Sequence, residues 1–455
     1  MSKVINLKEG LDINLKGKAE NTVEKTISPT EISIKPSDFP CVKPHLEVRQ
    51  GDKVKAGDVL FTDKFRPEIR FCSPVSGEVT EIRRAERRRI TDVIVKADSQ
   101  TEYVKFDVSN LQSKDAVKEL FLKSGVWPYL RQRPFNIVAD PQQEAKAVYI
   151  STFDSSPLAA DYQFVLKDQI DLFQAGVDAL SKLAKVYIGL NGKLSSNIFS
   201  NVKNAEIHSF AGPHPAGNAG VQISWICPVN KGESVIVVNP QDVVIIGRLI
   251  KNGIYDAKKT IALVGSRVNK PAYVSVVANC NINSIIAGAY DETPLEGVEE
   301  GSPSVRIIGG NVLTGTKLDK DGYLGFYDNE ITIIPEGNYY DFFGWALPGL
   351  KKYSFSRTFF SWLNPKKQVE LDTNTHGEKR AYVVTGTFEK LLPMDIYPLQ
   401  LIKAILAENI ELMEELGIYE VAEEDFALCE FADTSKTDIQ AIIRKGLDLM
   451  VLETR

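Results

Sequence analysis

Between Gly51 and Val79 the chain reads GDKVKAGDVLFTDKFRPEIRFCSPVSGEV, and few backbones satisfy that pattern. A Gly-Asp turn starts a strand. An apolar hairpin follows, and a Pro-x-x-Gly turn at Pro74–Gly77 closes it. The interval from Leu60 to Pro74 puts the hairpin tip near Phe65-Arg66-Pro67. Pro67 lacks the N–H that a ladder needs, which supports a turn there.

This stretch resembles the core of a biotinyl/lipoyl carrier domain. Carriers present a lysine at the hairpin tip for a swinging cofactor. The nearest lysine here, Lys64, precedes Arg66 by two positions and falls on an arm of the hairpin. Carrier architecture without a well-placed lysine suggests a scaffold put to another use. The expectation is that neither biotin nor lipoate is attached, with attachment at Lys64 as the analogy-based alternative.

At 455 residues the chain exceeds what one core holds, so several domains are expected. The net charge of −6 gives no global attraction to nucleic acid or anionic lipid. No apolar run reaches bilayer length; the richest, Ser234 to Ile250, is interrupted by Asn239, Pro240, Gln241, Asp242 and Arg248. The N-terminus shows no signal-peptide core. These features predict a protein that is soluble when isolated and cytoplasmic. Cys41, Cys72, Cys227, Cys280 and Cys429 are scattered, with no Cys-x-x-Cys, and His45, His208, His214 and His376 lack zinc spacing. Neither a disulfide framework nor a protein-bound metal centre is expected.

The pattern divides the chain into an extended polar segment at 1–35, the carrier-like β module at 36–108 and a parallel α/β domain at 109–268. A β-rich module at 269–338, an aromatic connector at 339–390 and a helical domain at 391–455 follow. Within the carrier-like module, Ile82–Ile90 is a basic hairpin-like stretch, either a solvated turn or a patch for an acidic partner or lipid headgroups. Ser113 can cap a helix ending at Gly125. Ala147–Ile150, Val186–Ile188, Val235–Val238 and Ile261–Val264 read as buried strands, and Ile170, Phe173, Val177, Leu180 and Leu183 recur at helical spacing. The connector carries Phe342, Phe343, Trp345, Tyr353, Phe355, Phe359, Phe360 and Trp362. Near the C-terminus, Thr437 with Gln440 has capping-box spacing ahead of a stripe of Ile439, Ile442, Ile443, Gly446, Leu447 and Met450.

A parallel α/β domain raises the question of dinucleotide binding. The chain has 31 glycines, yet no two are separated by a single residue, so the Gly-x-Gly-x-x-Gly fingerprint and the P-loop are both absent. Three other segments are chemically suggestive. The loop FAGPHPAGNAG at 210–220 sets His214 between two prolines, as an interdomain turn or as a ligand or partner contact. The segment GVWPYLRQRPF at 125–135 alternates rings with guanidiniums. It is either packed between domains or shaped for a quinone, with Trp127 and Phe135 stacking and Arg131 or Arg133 donating to a carbonyl oxygen. Asp154 and Asp161 follow a strand, where open sheets often hold ligands, and either could instead cap a helix.

Together these segments resemble the A subunit of the bacterial sodium-translocating NADH:quinone oxidoreductases. The resemblance rests on GLDINLKG at 10–17, GDKVKAGDVLFTDK at 51–64, SGVWPYLRQRPF at 124–135, FDSSPLAADY at 153–162, FAGPHPAGNAG at 210–220, QDVVIIGRL at 241–249, FFGWALPG at 342–349 and LLPMDIYP at 391–398. It runs nearly end to end. That family is related to the flavin-binding subunit of complex I and to the C subunit of Rnf-type enzymes. The resemblance implies an α/β multidomain fold: a lipoyl-like module, a Rossmann-like domain, a soluble-ligand-binding β-grasp module over 269–338 and C-terminal helices.

The resemblance also implies a peripheral subunit on the cytoplasmic face of the inner membrane, partnered by integral subunits. Trp127, Arg131, Arg133, Phe135 and His214 are the expected quinone contacts. Quinone is a substrate of the complex, NADH binds another subunit, and flavin and iron–sulfur clusters are expected elsewhere. The isolated chain is not expected to catalyse the reaction. Two alternatives stand beside this one: a structural docking subunit without a ligand, and a flavin- and NADH-binding subunit like its relatives.

Overall fold

The computed structural model describes residues 4–298, 301–344, 352–357, 359–364, 367–382 and 386–454. Its strands form four sheets of seven, six, four and three strands.

The two smallest sheets build the N-terminal module. Residues 59–63 pair antiparallel with 44–46 and 70–72, and Phe61 stacks on its cross-strand partner Phe71 with centroids 4.5 Å apart. The turn between Val59–Asp63 and Arg70–Cys72 brings Phe65, Arg66 and Pro67 to the tip. The other sheet runs 31–34, 90–97, 77–84, 53–54, and its long hairpin exposes Arg84, Arg87, Arg88 and Arg89.

The seven-stranded sheet runs 4–6, 206–211, 185–191, 147–151, 235–237, 131–133, 137–138. Its first five strands are parallel, 131–133 runs antiparallel to them, and 137–138 pairs antiparallel with 131–133. The helix Lys114–Ser124 lies between the caps its sequence announces: Ser113 Oγ accepts from the Ala116 N–H, and Gly125 adopts φ 79°. Helix Ile170–Leu180 uses the expected apolar face but ends before Leu183.

Three expectations need correction. The strand Lys258–Val264 is not the last strand of the α/β domain. It sits in the six-stranded sheet, in the order 316–318, 305–309, 330–335, 258–264, 272–277, 23–26, so the change of domain precedes residue 258 and does not fall at 268. An apolar run announces burial but not which sheet buries it. The polar start of the chain is not a separate segment. Val4–Asn6 extends the seven-stranded sheet, Val23–Thr26 the six-stranded sheet and Glu31–Ile34 the four-stranded one.

The capping box of the last helix is also not formed. Helix Ile439–Glu453 starts after Asp438 without a side-chain cap, and the Gln440 N–H donates to Glu430 Oε2 at 2.7 Å. Its apolar stripe is core: Ile439, Ile443, Leu447 and Met450 are all 0% exposed. In the connector Phe359 is buried while Phe342, Phe343, Phe360 and Trp362 are about half exposed or more. Trp345, expected as part of this connector, lies outside the described residues. All five cysteines are free thiols. Among the described residues no helix is long and apolar enough to cross a membrane.

Candidate functional site

In the seven-stranded sheet the chain steps outward from 147–151 to 185–191 and 206–211, then returns to place 235–237 on the opposite side. Strand order therefore reverses between 147–151 and 235–237, the point where open α/β sheets leave a crevice beyond their carboxyl ends. A cavity of about 370 Å³ opens there. Ser151, Phe153, Asp154, Val238 and Asn239 line it from the strand ends. Gly309, Asn311, Asp328 and Glu330 come from the six-stranded sheet, and Glu423, Glu424 and Gln440 from the C-terminal helices.

Local chemistry fixes each wall. Asn239 accepts the Gln241 N–H at 3.0 Å as N-cap of helix Pro240–Asn252, and its Nδ2 donates to the Tyr162 hydroxyl at 2.8 Å. Gln241 then reaches across the domains, donating to the Thr260 carbonyl and accepting from its N–H. Beside it the buried Asp242 and Lys259 form an ion pair at 2.9 Å. On the facing wall a Cβ at Gly309 would stand 2.4 Å from Asp328 Oδ2, so a larger residue there would displace that carboxylate.

The His214 loop is tied down by its own chemistry. The Ser155 hydroxyl accepts from the Gly217 N–H at 2.8 Å and lies 3.0 Å from His214 Nδ1. The hydroxyl can donate or accept a second time, so the direction of this bond follows the tautomer of the ring. Burial drives the His214 pKa down to about 4, against the pull of Asp12 and Glu424. From outside, Asp12 Oδ1 accepts the His214 N–H at 2.8 Å and the Leu11 N–H donates to the His214 carbonyl. The segments 10–17 and 210–220 are thus two halves of one contact.

The aromatic–arginine segment mostly docks the C-terminal helices. Arg133 is 2% exposed; Nη1 meets Asp425 Oδ2 at 2.9 Å and Nη2 meets Glu424 Oε1 at 2.6 Å. Trp127 is 3% exposed and its indole N–H donates to the Ala139 carbonyl at 2.8 Å. Phe135 packs edge-on against Tyr419. None of these three lines the cavity, which Arg131 and His214 do. Arg131 rests its guanidinium 4.9 Å from the centroid of the Tyr327 ring. Asp161 caps helix Tyr162–Val165, whereas Asp154 lies in the cavity wall with burial raising its pKa.

Sequence reading missed Tyr327, Asp328 and Glu330. The available signal was an acid at the head of the apolar strand Ile331–Ile334. Among the described residues, no group of three or more His, Cys, Asp or Glu side chains is arranged to hold a metal ion.

Comparison with known proteins fits this layout. Residues 5–98 match the NqrA N-terminal barrel-sandwich hybrid domain, 112–255 the NqrA second alpha/beta domain and 260–320 the NQRA C-terminal domain. The A subunit of the Na(+)-translocating NADH-quinone reductase of Neisseria meningitidis serogroup B is 34% identical over 99% of this chain and 100% of its own. The Vibrio vulnificus protein of that name matches with the same identity and coverage. A solved NAD+-reducing [NiFe]-hydrogenase aligns with 75% of this chain and 62% of its own, at 12% identity and a TM-score of 0.37, too low to bear on the fold. With one-third identity sustained from end to end, the chain belongs to the NqrA family, the A subunits of Na(+)-translocating NADH-quinone reductases.

Proposed function

We propose that the chain is the peripheral, quinone-interacting subunit of a sodium-pumping NADH:quinone reductase, and that the cleft holds the quinone headgroup. In this reading it lies on the cytoplasmic face of the inner membrane against integral subunits. It carries no flavin, iron–sulfur cluster, biotin or lipoate, and NADH binds elsewhere. The strand order at the switch point supports a Rossmann-like ancestry for the α/β domain, and the β-grasp reading of the module with the six-stranded sheet goes with it.

The observation that carries the reading is the composition of the cleft. Its volume, about 370 Å³, suits a small organic ring. Arg131 offers hydrogen-bond donors to a carbonyl oxygen beside the flat face of Tyr327. Asp154, Asp328, Glu423 and Glu424 make the walls acidic, which disfavours the phosphates of a flavin nucleotide or NADH. Of the five contacts expected from sequence, Arg131 and His214 remain as donors in this site. Trp127, Arg133 and Phe135 are engaged in packing.

That engagement favours the second reading, a docking subunit without a ligand, because the segment most suggestive of quinone chemistry binds the C-terminal helices. Calorimetric titration of a short-chain ubiquinone separates the two. Losing a charged donor in Arg131→Ala is expected to weaken binding roughly ten- to a hundredfold. Absence of binding by the parent protein favours docking alone.

A further inference from the structure

Glu330 is an acid that neither packing nor ion pairing explains. It heads the strand Glu330–Pro335, is 4% exposed, and its Oε2 is buried without a hydrogen-bond partner in the wall of the cleft. An ionised carboxylate so placed is strongly disfavoured.

The groups around it supply no compensating charge. Asp154, beyond the strand 147–151, and Asp328, in the turn preceding Glu330, are both acids that raise its pKa. Tyr162 and Tyr273 are phenols whose hydroxyls accept, from Asn239 Nδ2 and from the Asp161 N–H, and neither donates to Glu330 Oε2. Lys259, on the adjoining strand, is held by Asp242 and the Phe326 carbonyl.

The three acids are not equivalent. The Ser156 N–H donates to Asp154 Oδ1 at 2.7 Å, and the Gly325 N–H donates to Asp328 Oδ2 at 2.8 Å. Such donors favour the anion. Buried Oε2 of Glu330 receives none, so nothing there favours the anion. Burial first, then Asp154 and Asp328, push the Glu330 pKa well above the usual carboxylate range.

We propose that Glu330 is a neutral carboxylic acid that donates a hydrogen bond to a carbonyl oxygen of a ligand in the cleft. In an oxidised quinone headgroup the partner is a carbonyl oxygen, which only accepts. This rests on the quinone reading above. It involves binding alone, with no bond made or broken. It also gives a reason for an acid at the head of an apolar strand: it supplies a donor to the cleft without a positive charge.

The test has two parts. Infrared difference spectra of the ligand-free protein at neutral pH, parent minus Glu330→Gln, are expected to show a protonated-carboxyl band. Its absence overturns the proposal. In the second part, 2,3-dimethoxy-5-methyl-1,4-benzoquinone is titrated into the parent, Glu330→Gln and Glu330→Ala at a series of pH values.

Parent affinity is expected to fall as pH rises through the raised Glu330 pKa, by at most about tenfold per unit. Glu330→Gln, whose amide still donates, is expected to bind without that slope. Glu330→Ala loses up to about tenfold at the pH where the parent binds best. Should Glu330→Ala fail to fold, Glu330→Gln decides. A flat parent profile, or the slope persisting in Glu330→Gln, overturns the proposal. If the band is present but no form binds quinone, the quinone reading falls with its ligand assignment, while the neutral acid stands.

Discussion

Arg133 and Asp425 are 292 positions apart in sequence and joined by a buried hydrogen bond of 2.9 Å. Glu424 takes the other arm of the guanidinium, and both Asp425 and Arg133 are out of water. Burial of this kind makes one partner costly to remove, because the carboxylates remain without their cation. Arg133→Met is therefore expected to lose about 3–5 kcal/mol in urea denaturation. A loss below about 1 kcal/mol would show that solvent reaches the pair.

The N-terminal segment closes over the His214 loop at Gly10. Gly10 has φ 127°, and a Cβ there would stand 2.1 Å from the His214 carbonyl oxygen. Gly51 has a comparable φ of 92° but nothing within 4 Å of its Cβ position. Gly51→Ala is expected to cost about 1–3 kcal/mol from backbone strain alone. Gly10→Ala adds the clash and is expected to lower the melting temperature further. Equal losses would mean that the two segments separate easily.

Local signals in the sequence translate into structure where the deciding interactions are local. Ser113 and Gly125 bound their helix because both caps act within one turn. The strand at Lys258–Val264 is legible as a strand but not by its sheet, since its partners at 272–277 and 330–335 follow it in sequence. The last helix begins one residue later than a Thr437 cap would set it, and Glu430 accepts from its first turn. In the cleft, Arg131 and His214 stand out for their neighbours along the chain. Glu330 does not, because its significance comes from Asp154, which only tertiary structure brings near.

The hairpin tip argues against a carrier function on mechanical grounds. Lys64 donates its N–H to the Lys43 carbonyl at 2.7 Å, and Arg66 at the tip pairs with Asp63 at 3.2 Å and with Asp140 of the α/β domain at 3.7 Å. The second of these pairs ties the tip to the α/β domain. The purified chain is expected to show the unmodified mass and no flavin absorbance band. A lipoyl or biotinyl increment on Lys64 in intact-mass spectra would contradict this.

His214 links stability to pH. Its folded pKa is near 4, against an ordinary value of 6.5, because burial disfavours the imidazolium. Between those values the unfolded chain takes up a proton that the folded chain refuses, so acid favours unfolding. The contribution is fully present above about pH 6.5 and declines as pH falls toward 4, by roughly 3 kcal/mol in all. Acids such as Glu330 also titrate in the folded protein, so the share of His214 is read by difference. His214→Gln keeps an acceptor for Ser155 and cannot ionise. Denaturation midpoints for parent and variant, measured from pH 7 to 4.5, are expected to converge as pH falls, because only the parent loses the His214 contribution. Parallel curves would mean that His214 takes up its proton as readily in the folded chain as in the unfolded one, with Ser155 Oγ then accepting from its ring.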